Sequence, residues 1–199
     1  NGLAISYEKL GSIHQSMGRM EEALKYFEDE VRLFKELYED NPRSESLKNG
    51  LAISYCKLGE IHQSMGNIEE ALKYFENYLA LTKELYEANP RSESLKNGLA
   101  ISYCKLGETH QSMGNIEEAL KYFENYLALT KELYEANPHS ITLFEGLAIS
   151  YYKLAMICKT QNDDEKGKSY FEEWKKMISY LAENIPQVPK YGDWNIVEY

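Results

Sequence analysis

The chain has 199 residues, with 22 basic and 32 acidic side chains, a net charge of −10, and 43% hydrophobic and 27% charged content. This is the composition of a folded chain rather than a disordered one, and its negative sign argues against nucleic acid or anionic membrane as partner. No uninterrupted apolar run reaches the ~20 residues of a membrane span.

Asn1 is not an initiator Met and opens inside what reads as a first helix, so further repeats or another domain are expected upstream. From there the chain repeats itself. Gly2, Gly50, Gly98 and Gly146 are each 48 residues apart (50−2, 98−50, 146−98). A fixed period of that length marks a repeat architecture. Residues 49–96 and 97–144 differ at only five positions: Ile61/Thr109, Arg91/His139, Glu93/Ile141, Ser94/Thr142 and Lys96/Phe144.

Within each repeat the pattern predicts two helices of about 20 residues, each near 30 Å long at ~1.5 Å per residue. In the second repeat Leu47, Leu51, Tyr55, Leu58, His62 and Met65 form one stripe, with Ser44 as N-cap. Gly66 then suits a helix C-terminus, and Asn67 with Glu70 three residues on reads as a capping box. Ile68, Ala71, Leu72, Phe75, Leu79, Thr82 and Leu85 form the stripe of the next helix, which Asn89-Pro90 ends. Gly59 and Ala71, with Gly11, Ala23, Gly107 and Ala119, mark a close approach of helix backbones. A lone hairpin cannot bury both faces, whereas stacked hairpins share one core. The fold class expected is all-α, a right-handed α-solenoid of stacked antiparallel hairpins.

These letters resemble the tetratricopeptide repeat family. Its Trp-x2-Leu-Gly-x2-Tyr, Ala-x3-Phe, Pro pattern has its slots here at Tyr55, Leu58, Gly59, His62, Ala71, Phe75 and Pro90. It recurs as Tyr7, Leu10, Gly11, His14, Ala23, Phe27 and Pro42, and as Tyr103, Leu106, Gly107, His110, Ala119, Phe123 and Pro138. The family unit is ~34 residues, so this is a lengthened variant, each helix longer by roughly two turns. Residues 1–48, 49–96 and 97–144 are three repeats, the first truncated at its N-terminus. Residues 145–186 read as a degenerate capping repeat, because Lys168 and Lys175 replace Leu120 and Leu127 on a face that no further repeat would cover. Residues 187–199 form an apolar tail without helical period, containing Val188, Tyr191, Trp194 and Ile196.

No catalytic, cofactor or metal site is expected, since the chain carries no phosphate loop, nucleophile elbow or paired His-Glu motif. His14, His62, His110 and Cys158 share one slot, but 48-residue translation spreads them along the stack instead of converging them, so they read as core. Glu69-Glu70 starts a helix, where acidic residues favour the macrodipole. The resemblance implies a protein-interaction scaffold that holds a peptide or protein along a concave groove lined by the first helices. At 100° per residue, the face opposite Leu58 carries Ile53, Cys56, Lys57, Glu60 and Gln63. The matching positions are Ile5 and Lys9 in the first repeat, Ile101, Cys104, Lys105, Glu108 and Gln111 in the third, and Ile149, Tyr152 and Lys153 in the fourth. If the lysine column lines the site, the partner should present carboxylates.

The partner expected is a protein or peptide, not nucleic acid or membrane. Two further uses fit the same sequence: a regulatory repeat region of a larger effector, such as a caspase-like protease or an NTPase, and a self-assembling rod joined through repeat stacking or the tail. Cys56, Cys104 and Cys158 make no disulfide framework and there is no N-x-Ser/Thr sequon, so a cytoplasmic setting is expected.

Overall fold

A computed structural model describes residues 2–184. The tail Gln187–Tyr199, with Trp194, lies outside the described residues. Among those described the elements are eight helices: α1 (Gly2–Ser16), α2 (Met20–Asp40), α3 (Glu45–Ser64), α4 (Ile68–Ala88), α5 (Glu93–Ser112), α6 (Ile116–Ala136), α7 (Ile141–Thr160) and α8 (Asp164–Asn184). The chain divides into two compact units, residues 1–113 and 114–199, so the first holds α1–α5 and the second holds α6–α8. Their boundary falls inside the third sequence repeat.

Short-range chemistry fixes the helix ends. Ser44, Ser92 and Ser140 accept hydrogen bonds from the backbone N–H of Leu47, Leu95 and Leu143 at 3.3, 3.4 and 3.3 Å. Caps of this kind contribute about 1 kcal/mol each. Gly18, Gly66 and Gly114 turn the chain with φ of 72°, 80° and 78°, and Asn162 takes the same role with φ 57°. Glycine enters this left-handed region freely and asparagine tolerates it. One expectation fails. Asn67 makes no side-chain cap, and Glu70 instead pairs with Lys73 one turn on, so no capping box forms.

In the first unit Ala71, Phe75, Tyr78, Thr82 and Leu85 are buried on α4, so Tyr78 takes the place expected for Leu79, which is half-buried. Phe27 and Phe75 fill the space between the helices of their hairpins. A Cβ at Gly11 or Gly59 would fall 2.6 or 2.5 Å from those rings. The first helix of the second repeat buries more than one stripe: Ala52, Ser54 and Ile61 are wholly buried beside the expected Leu51, Tyr55 and Leu58. That wide burial follows from position, because α3 packs against both α2 and α4 in one cluster.

A buried hydroxyl pair recurs where consecutive repeats meet. Thr82 reaches Ser102 at 3.4 Å in the first unit, and Thr130 reaches Ser150 at 3.2 Å in the second. Each hydroxyl is also bonded to backbone of its own helix, so burial leaves no polar group unsatisfied.

α1 departs from this pattern. Leu3, Leu10 and Ile13 are 55%, 40% and 53% exposed, whereas their counterparts Leu51, Leu58 and Ile61 are at most 5% exposed, and Met17 is 61% exposed where its counterpart Met65 is half-buried. Gly2 faces open space, while its counterpart Gly50 lies against the Phe34 ring.

In the second unit, Ala119 and Phe123 of α6 cluster with Leu154, Ile157 and Cys158 of α7, and Ala148 and Ala155 with Phe171, Trp174 and Ile178 of α8. α7 is long and apolar enough to cross a membrane by length and composition. Its Leu147, Ala148, Leu154, Ala155 and Ile157 are buried instead among helices of this unit. Lys168 and Lys175 are exposed.

Candidate binding face

The face opposite the packed stripe of the first helices carries three isoleucines in one slot of the first unit. Ile5 on α1, Ile53 on α3 and Ile101 on α5 are 49%, 42% and 37% exposed. Asn49 and Asn97 are exposed one turn before Ile53 and Ile101, while Gln63 and Gln111 are half-buried further along.

The lysine column does not present free charge. Lys57 Nζ lies 2.6 Å from Glu8 Oε1, and Lys105 Nζ lies 2.6 Å from Glu60 Oε1. The two pairs use different slots: Glu8 aligns with Cys56, whereas Glu60 stands one turn further along its helix. The first repeat has Ser12 in the Glu60 slot, and Glu8 replaces a cysteine there, so the acidic partner has moved by one turn and the pairing survives. Burial disfavours the charge on Lys105, but the Glu60 hydrogen bond and the nearby carboxylates raise its pKa overall. Lys9 on α1 is exposed.

Cys56 is half-buried at the edge of the core. Burial, with Glu60 beside it, pushes its thiol up to about 12, so it is an inert packing group at neutral pH. Cys104 is likewise half-buried, with its sulfur 3.9 Å from Glu108.

In the second unit the expected site residues turn inward. Ile149 is half-buried, Tyr152 packs against Trp174 with ring centroids 5.1 Å apart, and Lys153 lies 5.6 Å over the Phe123 ring. These three serve packing as much as surface.

The histidines of the shared slot are half-buried, and only Cys158 in that slot is wholly buried. His14 and His62 pack on Tyr26 and Tyr74 with centroids 5.2 and 5.3 Å apart. Among the described residues no cluster of three metal-ligating side chains occurs.

Two acidic residues escaped sequence reasoning. Glu8 supplies the counter-charge of Lys57. Glu30 is 3% exposed, and its Oε2 is buried without a hydrogen-bond partner. Burial raises its pKa, while Ser54 and Lys57 pull it back. The signal was available, because Glu30 stands in the slot of Tyr78 and Tyr126.

Repeated helical hairpins, the first two with a Gly–Phe contact at the core, define a repeat scaffold. The tetratricopeptide repeat family matches residues 2–84, again 50–132, and separately 148–177. The chain belongs to that family. No curated protein matches it. BtubC (BKLC) from P. vanneervenii is similar in structure, with a TM-score of 0.72 and 19% identity over 89% of this chain and 64% of that one. The apo form of RapI gives 0.72 and 15% over 92% of this chain and 58% of that one. Aspartyl phosphate phosphatase F from Bacillus subtilis gives 0.70 and 14% over 95% and 43%. This chain spans less than two thirds of the length of each of these proteins, and at such identity the likeness is one of fold.

Proposed function

We propose that the chain is a non-catalytic protein-binding scaffold whose ligand lies along α1, α3 and α5 of the first unit. The observation that supports this is the exposure of Ile5, Ile53 and Ile101 in a single slot; on α3 and α5 the other apolar residues are largely packed. Single exposed apolar residues are ordinary, whereas three in one slot flanked by polar groups support the reading of an interaction surface. Because Lys57 and Lys105 are already paired with Glu8 and Glu60, the ligand this face fits is a peptide segment contributing apolar side chains rather than carboxylates. Asn49, Asn97, Gln63 and Gln111 offer donors and acceptors for its backbone. The free thiols suit a cytoplasmic setting.

Peptides selected against the purified chain from a random library, mapped by NMR on isoleucine methyl groups, test this. Shifts concentrated at Ile5, Ile53 and Ile101 are expected. Shifts confined to other surfaces would overturn it.

A second reading, self-association through α1, rests on the exposed Leu3, Leu10, Ile13 and Met17. Sedimentation of wild type and a Leu10→Glu/Ile13→Glu variant tests it. A concentration-dependent mass abolished in the variant is expected, and a monomer at all concentrations contradicts it.

A further inference from the structure

One junction of the second unit has exchanged ionic chemistry for aromatic chemistry. At the junction of the first and second repeats Lys48 Nζ donates to Glu84 Oε2 at 2.7 Å and lies 5.8 Å over the Tyr38 ring. The same three slots, 96 residues on (134−38, 144−48, 180−84), hold Tyr134, Phe144 and Tyr180. There the Phe144 ring centroid stands 5.3 Å from Tyr134 and 5.4 Å from Tyr180. Glu93 of the second repeat is matched by Ile141.

The exchange leaves apolar surface uncovered. Ile141 is 50% exposed and Tyr180 56% exposed. Together with Tyr134, Pro138, Phe144 and Asn184 they line a cavity of about 270 Å³. That lies just below the ~300–1,000 Å³ of typical small-molecule sites, and suits one or two large side chains. Asn184, on its wall, is also the last described residue, so 15 residues (199−184) follow from the rim of the cavity itself.

We propose that this cavity is the docking site of the chain's own C-terminal segment, residues 185–199, with Trp194 seated among Ile141, Phe144 and Tyr180. The segment holds Val188, Tyr191, Trp194, Ile196 and Val197, an apolar content out of keeping with a solvated tail. Ten residues separate Trp194 from Asn184, a reach of up to roughly 35 Å at ~3.3–3.6 Å per residue. Closing so short a loop carries a small entropic cost. Aromatic packing against Phe144 and Tyr180 favours an indole, and the rim residues Ser140, His139 and Asn184 supply acceptors for its N–H.

Trp174 is the only other tryptophan, so fluorescence of full-length Trp174→Phe reports Trp194 alone. Docking predicts blue-shifted emission, quenching by acrylamide several-fold weaker than for free tryptophan, and no change on dilution. Adding Phe144→Lys/Tyr180→Glu, which recreates the Lys48–Glu84 ion pair in the matching slots and so preserves the fold, should restore solvent-like emission. Solvent-like emission before that change, or emission indifferent to it, overturns the proposal. Protection lost on dilution also overturns it, by assigning the cavity to a second copy's segment. If Trp174→Phe lowers helicity, 19F NMR of the wild type labelled with 5-fluorotryptophan, assigned with Trp194→Phe, applies the same criterion without altering the core.

Discussion

Phe75 fills the space that a side chain at Gly59 would need: a Cβ there would fall 2.5 Å from the ring. Two helices therefore meet where one surrenders its side chain and the other contributes a wholly buried phenyl group. Phe75→Ala should cost about 3–5 kcal/mol, the range for a buried Phe. Gly59→Ala should cost about 1–3 kcal/mol by overpacking, against a helix-propensity gain of no more than ~1 kcal/mol. Urea denaturation with unchanged m-value checks both. A loss below ~1 kcal/mol for Phe75→Ala contradicts the packing.

The fourth repeat suggests how that overpacking is relieved. It carries Ala155 in the Gly59 slot and Gly167 in the Ala71 slot, and both are buried. The methyl group has moved from one helix to the other, conserving volume. Gly59→Ala combined with Ala71→Gly should be less destabilised than the sum of the single changes, and strict additivity would contradict the compensation.

Sequence made much of this visible, and for definable reasons. Caps at Ser44, Ser92 and Ser140, the Gly66 turn and the Asn89-Pro90 stop are decided within a few residues, so local letters suffice. Burial of Ser54 and Ile61 depends on a helix from the preceding repeat, and a single stripe drawn on α3 cannot show it. The candidate face was legible as a set of slots, of which Ile5, Ile53 and Ile101 are exposed and Ile149 is half-buried, but its electrostatics were not. Lys57 finds Glu8 49 residues away and Lys105 finds Glu60 45 residues away, contacts that no helical wheel displays. Glu30 needed a slot-by-slot comparison of repeats.

That slot holds a second compensation. Glu30 and Phe34 stand where Tyr78 and Thr82 stand one repeat on, and Phe34 fills the space over Gly50. Glu30→Tyr alone should be destabilising through overpacking, and Glu30→Tyr with Phe34→Thr should recover stability. Thermal melts of the three variants check this. A double variant no better than Glu30→Tyr contradicts it.

The carboxyl of Glu30 also predicts a pH dependence. Burial raises its folded pKa above the ordinary glutamate value, so the folded chain holds this proton more tightly than the unfolded chain. The associated stability is fully present below the unfolded pKa of ~4.3 and is lost as pH rises through the folded pKa. Glu30→Gln should therefore be more stable than wild type at pH 7, with an advantage that shrinks as pH falls toward 4. An advantage constant with pH would point to packing rather than ionisation.

The most direct test of the binding face sets its two columns against each other. Affinity for a library-selected peptide is measured by calorimetry for wild type, for Ile53→Asp/Ile101→Asp and for Lys57→Gln/Lys105→Gln, with helicity confirmed for each. Because the isoleucines are exposed and the lysines are already paired with Glu8 and Glu60, the isoleucine pair should cost at least ~10-fold in Kd, or about 1.4 kcal/mol. The lysine pair should cost less than that and leave the salt dependence nearly flat. Binding that tolerates the aspartates but collapses with the glutamines, most steeply at low salt, would contradict an apolar ligand on this face.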